Sequence, residues 1–379
     1  MGVTDARSRP PRAESDARPR SRSLAATFDV LDRHLPAGLI GPPARAALDR
    51  IGARLPAALT RRLYFECRLR DAAPQVDVIV CVDRDTRRVL SDAGFWLPGS
   101  LRGHPWWNGI ARVTDQWQDD RSPLSAGIYD AWLEFDADEP SGSALIPSVF
   151  VGLAATHSTP LADLWSVGRA AVAVILDRPV NSEIVRTAER CLNCLPAGAT
   201  LAYVGLMYPR DREALRLCVA PLHGAGLLDY LAAIGWPGPV DRLAATLRTI
   251  RAHEQRCGLE ATTLVHLDLR EEVGPRIGLE IYFDQWPQIL DGVVDDAMLN
   301  SLCGLGLCTP SKRDALVQWC GHTVEQFPHA CWPSLVLRRV SHVKVVFGLD
   351  GAPEAKAYLS VFHGFSRHHS TLPDSEVQR

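Results

Sequence analysis

The chain has 379 residues, 46% of them hydrophobic, with 41 basic and 44 acidic side chains and a net charge of −3. That near-neutral balance argues against a nucleic-acid-binding surface, and apolar runs broken by Gly, Pro or charge argue against a membrane span. Ten cysteines without small-domain spacing suit a reducing cytoplasm better than a disulfide framework.

Residues 1–23 are rich in Arg, Pro and Ser and lack an apolar signal core, which predicts a disordered tail before a single domain over 24–366. A second disordered tail is expected over 367–379, where His368-His369 alone make a poor metal site.

Five alternating segments then recur: 62–82, 130–153, 199–222, 262–283 and 342–361. Each reads as two strands of period two around a turn, which predicts a β-hairpin. Helical patterns precede them. "GPPARAALDRIGARL" comes before the first hairpin, and "VNSEIVRTAERCLNCL", with Asn181 as N-cap, before the third. "GPVDRLAATLRTIRAHEQ" precedes the fourth, and "TPSKRDALVQW", with Thr309 as cap and Pro310 first in the helix, precedes the fifth. "WWNGIARVTDQW" gives the second only a short helix, and the preceding "GHPWWNG" reads as a loop plugging one end of the fold. "CGLGLCTPSK" lacks the spacing of a phosphate loop and reads as one helix stopping and another starting. Cys191-x-x-Cys194 at a helix end reads as packing, with a zinc site as the alternative for it and for Cys303 and Cys308.

Five helix-strand-strand units predict an α+β fold in which ten antiparallel strands close into a barrel with helices outside. Ten strands enclose more space than side chains fill, so a chamber is expected. Strand parity places Leu63, Phe65, Cys67 and Leu69 toward the helices and Tyr64, Glu66 and Arg68 inward. It likewise points Asp77, Trp132, Glu134, Asp136, Arg216, Cys218, His266 and Asp268 inward, then Gly278, Glu280, Tyr282, His342, Lys344, Lys356, Tyr358 and Ser360. The same alternation would suit an open sheet with one solvated face. Two of the chain's three lysines, Lys344 and Lys356, fall in the last hairpin.

With "EAKAYL", Lys356-x-Tyr358, this repeat resembles the aromatic prenyltransferases of the αββα (ABBA), or PT-barrel, fold. The resemblance implies an enzyme of secondary metabolism that moves an allylic group from a diphosphate to an aromatic or peptide acceptor, with no cofactor or metal. Arg68, Arg216, Lys344 and Lys356 would hold the diphosphate, with Tyr64, Tyr282, Tyr358, Trp132 and His342 around the substrates. Glu66, Glu134 or Glu280 would take the acceptor's proton. Six inward acids against four inward bases, with no inward base from hairpins two and four, depart from a pyrophosphate site. They favour a second reading: a barrel that matures a ribosomal peptide, as a cyclase using His266, His342 or a cysteine, or as a binding subunit with a partner protein. A non-catalytic binding barrel is the third.

Overall fold

The computed structural model describes residues 20–70, 76–137, 145–156, 158–210, 214–257, 261–283, 296–349 and 352–364. Most of the two expected tails lies outside these. Residues 20–23 do not: Arg20–Arg22 form a 3-10 turn, and Ser23 is buried and bridges to Pro56.

All five hairpins are present. They are β1 (Arg62–Arg68) with β2 (Val76–Val82), β3 (Ile128–Phe135) with β4 (Ser148–Leu153), and β5 (Thr200–Leu206) with β6 (Leu215–Ala220). The fourth is β7 (Ala261–Leu269) with β8 (Val273–Phe283), and the fifth is β10 (Ser334–Phe347) with β11 (Glu354–Gly364). Each pairs antiparallel with the next, and β11 sits between β10 and β1, which shuts the ten strands into a barrel. The open-sheet alternative is thereby excluded. An eleventh strand that the pattern did not reveal, β9 (Gly321–Glu325), runs beside the first five residues of β10, whose later half pairs with β8. Its five residues include a glycine and three polar groups, too short and too polar for a period to register.

The outward-facing residues of the strands meet the helices in one apolar layer, in which Phe65 lies against Phe28 and Trp319. Asn181 caps the helix Ser182–Asn193 by accepting from Glu183 N at 2.8 Å, and Thr309 caps Pro310–Trp319. Lys312, the third lysine, is buried and donates to the Arg68 carbonyl at 2.6 Å, tying that last helix to β1.

The Trp pair corrects a sequence expectation. "GHPWWNG" is no loop plug but the first turn of the helix Pro105–Gln118, begun by Pro105 and capped by His104. Trp106 and Trp107 are buried in the helix layer and donate to Pro147 and Leu145 carbonyls. Gly109 explains how that helix packs: a Cβ there would meet the Ile175 carbonyl oxygen at 2.0 Å, so the helix Leu161–Leu176 can lie close only against a glycine.

Candidate functional site

Ten strands bring the inward side chains together in the bore. Lys344 stands directly opposite Lys356 across the β10–β11 ladder, a like-charge pair that would destabilise the sheet if left alone. Acids on both flanks offset it. Glu280 on β8 faces Lys344 in register, 3.3 Å from Nζ, and Glu66 on β1 is ion-paired to Lys356 and accepts from the Tyr358 hydroxyl. Both lysines are 7% exposed, so their partners are carboxylates rather than water.

Glu280 is the hub of the second cluster. His266 Nε2 lies 2.7 Å from one of its oxygens, Tyr282 OH donates to the other at 2.7 Å, and His342 stands 3.6 Å away. Burial opposes ionisation of Glu280, but the surrounding positive charge outweighs it and holds the carboxyl well below the usual range. Burial and the adjacent Lys344 push His266 down to about 4, so at neutral pH the imidazole is the uncharged partner and Lys344 the counter-ion. Its Nδ1 lies 3.4 Å from the Cys218 sulfur, whose thiol burial pushes up.

Arginine serves the third cluster. Arg210, on the β5–β6 turn, is ion-paired to Asp136, lies 2.6 Å from Glu134 and 3.8 Å from Asp77. Burial and the neighbouring Glu66, Asp136 and Glu134 raise Asp77 to about 7, while Ala137 N donates to it. Glu66 itself is held low: burial works against it, and Lys356, Lys344 and Arg210 win. Among the described residues, Glu66, Asp77 and Glu134 are the group whose oxygens could share a metal ion, all within 4.8 Å of one another. The Arg210 guanidinium already supplies positive charge there. Arg216 makes a bidentate pair with Asp268, at 2.6 and 2.9 Å.

These clusters surround a cavity of about 210 Å³ whose walls include Arg210, Arg216, Arg276, Lys344 and Lys356, with Glu66, Glu134, His266 and Asp268. Three of the four bases expected to converge therefore do so, and two unexpected ones join them. Arg68 is the exception. It ends β1 opposite Lys356, half-buried, where the strand leaves for its turn, and it is not among the cavity walls. The expectation that hairpin four offers no inward base also fails, because Arg276 is one step further along the face of Gly278 and Glu280. Gly278 shapes the wall: a Cβ there would lie 2.5 Å from Lys344 Cε, so only glycine leaves the stem its course.

Next to the charged layer lies an aromatic one. His342 stacks on Tyr358 at 4.0 Å and lies 4.5 Å from Tyr282, and Tyr64 meets Trp132 edge-on at 4.9 Å. Phe150, Met207, Cys218 and Leu264 pack together inside the barrel beside His266 and Arg216, and the far end of the bore lies past Tyr64. At that far end Arg62 reaches Asp130 at 3.3 Å and lies over Trp132, and burial raises Asp130 to about 6. Ser360 accepts from Arg339. The cysteines of the zinc alternative, Cys191, Cys194, Cys303 and Cys308, are free thiols that enter no group of three metal-type ligands among the described residues.

No family profile and no curated protein matches the sequence. Solved structures do match in shape. 5-Dimethylallyltryptophan synthase from Streptomyces coelicolor superposes with a TM-score of 0.52 at 15% identity, over 89% of this chain and 97% of that one. The fold is the PT-barrel. The apo form of the prenyltransferase PriB gives a TM-score of 0.52 at 15% identity, over 89% of this chain and 96% of its own. 6-Dimethylallyltryptophan synthase from Micromonospora olivasterospora, in complex with DMASPP and Trp, gives 0.50 at 14% identity, over 89% and 94%. At such identities the PT-barrel likeness is one of architecture, and chemistry must be argued from this chain's own residues. No helix among the described residues of this PT-barrel is long and apolar enough to cross a membrane.

Proposed function

We propose that the chamber transfers an allylic group from a diphosphate to an aromatic acceptor. The observation that carries this reading is the adjacency of two layers: five cationic side chains around one cavity, and a set of aromatic rings beside them. The diphosphate oxygens displace carboxylates from Arg210, Arg216, Lys344 and Lys356, with Arg276 at the rim, and Arg guanidinium is suited to bidentate anion contact. Arg210 is the arm best able to move, because it stands on a turn and its side chain is 35% exposed.

The allylic C–O bond then breaks and the electron pair leaves with the diphosphate. The cation faces Tyr64, Trp132, Tyr282 and Tyr358, whose ring faces attract positive charge. An aromatic carbon of the acceptor attacks, a C–C bond forms, and the acceptor's proton passes to a carboxylate. Glu280 fits that last role, being ionised, oriented by Tyr282 and backed by His266. Glu66 and Glu134 hold Lys356 and Arg210 in place until the diphosphate displaces them, and His342 lines the aromatic layer.

Peptide maturation or peptide binding draws support from the excess of inward acids, which would suit a basic guest. Incubation with dimethylallyl diphosphate and indolic, phenolic and peptide acceptors tests the choice. The reading expects diphosphate release coupled to a product heavier by one dimethylallyl group, lost in Glu280→Gln. No alkylated product with any acceptor contradicts it.

A further inference from the structure

Outside the bore, among the described residues, one pair of neighbouring histidines has unused buried nitrogens. His363 is the penultimate residue of β11 and is 7% exposed. It packs on Phe327, with ring centroids 4.6 Å apart, and faces His329 at 6.2 Å and an interplanar angle of 67°. Nε2 of His363 and Nδ1 of His329 are both buried, and neither has a hydrogen-bond partner. In a neutral imidazole one nitrogen carries the proton and the other a lone pair, so each of these two unpartnered nitrogens can be the one that ligates.

The spacing suits a shared ion. With metal–nitrogen bonds of about 2.0–2.1 Å, two imidazoles on one ion have centroids roughly 5–6.5 Å apart. Burial keeps both rings toward the neutral form, with His329 and Arg61 adding to the pressure on His363. Imidazole nitrogen selects ions such as zinc, copper or nickel over magnesium or calcium. His329 belongs to the connection between β9 and β10, and His363 to β11, so an ion held by both would clasp that connection to the strand that closes the barrel.

We propose that His329 and His363 form a site for one transition-metal ion of the zinc class, separate from the carboxylates of the chamber. With two protein donors the remaining coordination positions fall to water, and binding is of moderate strength.

Zn²⁺ titrated into the full chain tests this by calorimetry and thermal denaturation. One saturable site per chain is expected, with a Tm that climbs with Zn²⁺ concentration. His329→Ala, on a half-buried ring in a connecting segment, removes both the heat and the Tm rise while leaving the metal-free Tm near that of the unsubstituted chain. His363→Gln removes the same signals if it folds. Zn²⁺ binding that survives His329→Ala, or that is lost in Glu134→Gln instead, locates the ion elsewhere and overturns the proposal. Absence of binding at millimolar Zn²⁺ overturns it as well.

Discussion

Lys344 and Lys356 face each other at the centre of the site because each has a carboxylate on its other side. Removing one partner of a buried ion pair costs about 3–5 kcal/mol, since the other charge is left unpaired. Glu66→Gln should therefore lower the unfolding free energy measured in urea by an amount of that order, and a change under about 1 kcal/mol would show that Lys356 finds another partner. Asp77 has the opposite sign. Its folded value, raised to about 7, means that it favours folding while protonated, fully below its unfolded value near 3.9, and loses that contribution as pH rises through about 7. Asp77→Asn, which keeps an acceptor for Ala137 N, should gain stability over the native chain at pH 8 relative to pH 5. An unchanged gap between the two pH values would contradict the assignment. The lysines were conspicuous in the sequence because the chain otherwise writes arginine, and parity then pointed them inward. Arg276 and Arg62 obey the same parity and needed only a longer reading of β8 and β1. Arg210 could not be read so, because a turn residue has no period, and its three carboxylate partners come from hairpins distant in sequence.

Each strand of the five hairpins declares itself by alternation, because one face must be apolar for the helix layer and the other polar for the bore. Helices with a cap and a punctuating Pro or Gly are equally plain. Asn181→Ala removes the bond to Glu183 N and should cost about 1 kcal/mol in chemical denaturation, and a null effect would mean that water or a neighbouring group caps the helix instead. What escaped the pattern has physical reasons. β9 is too short to show a period, and the helix Pro105–Gln118 hid behind its aromatic first turn, whose tryptophans suggested a loop. Its Gly109, which a helix ordinarily disfavours, is required by the close approach of the Ile175 carbonyl.

Closure is a property of the whole chain, and it was legible as a count of five like units with no edge protection of their own. It depends on β11 joining β1 to β10, elements that lie at the two ends of the sequence. Whether the bore is catalytic was not legible from the count, since the balance of charge depends on which side chains actually converge. The central claim is that the cationic wall receives a diphosphate in place of its own carboxylates. Thermal denaturation with a non-hydrolysable dimethylallyl thiolodiphosphate tests it most directly. The account predicts a saturable rise in Tm that is abolished when Arg210 and Arg216 are both replaced by glutamine, whereas no shift at millimolar ligand would contradict it.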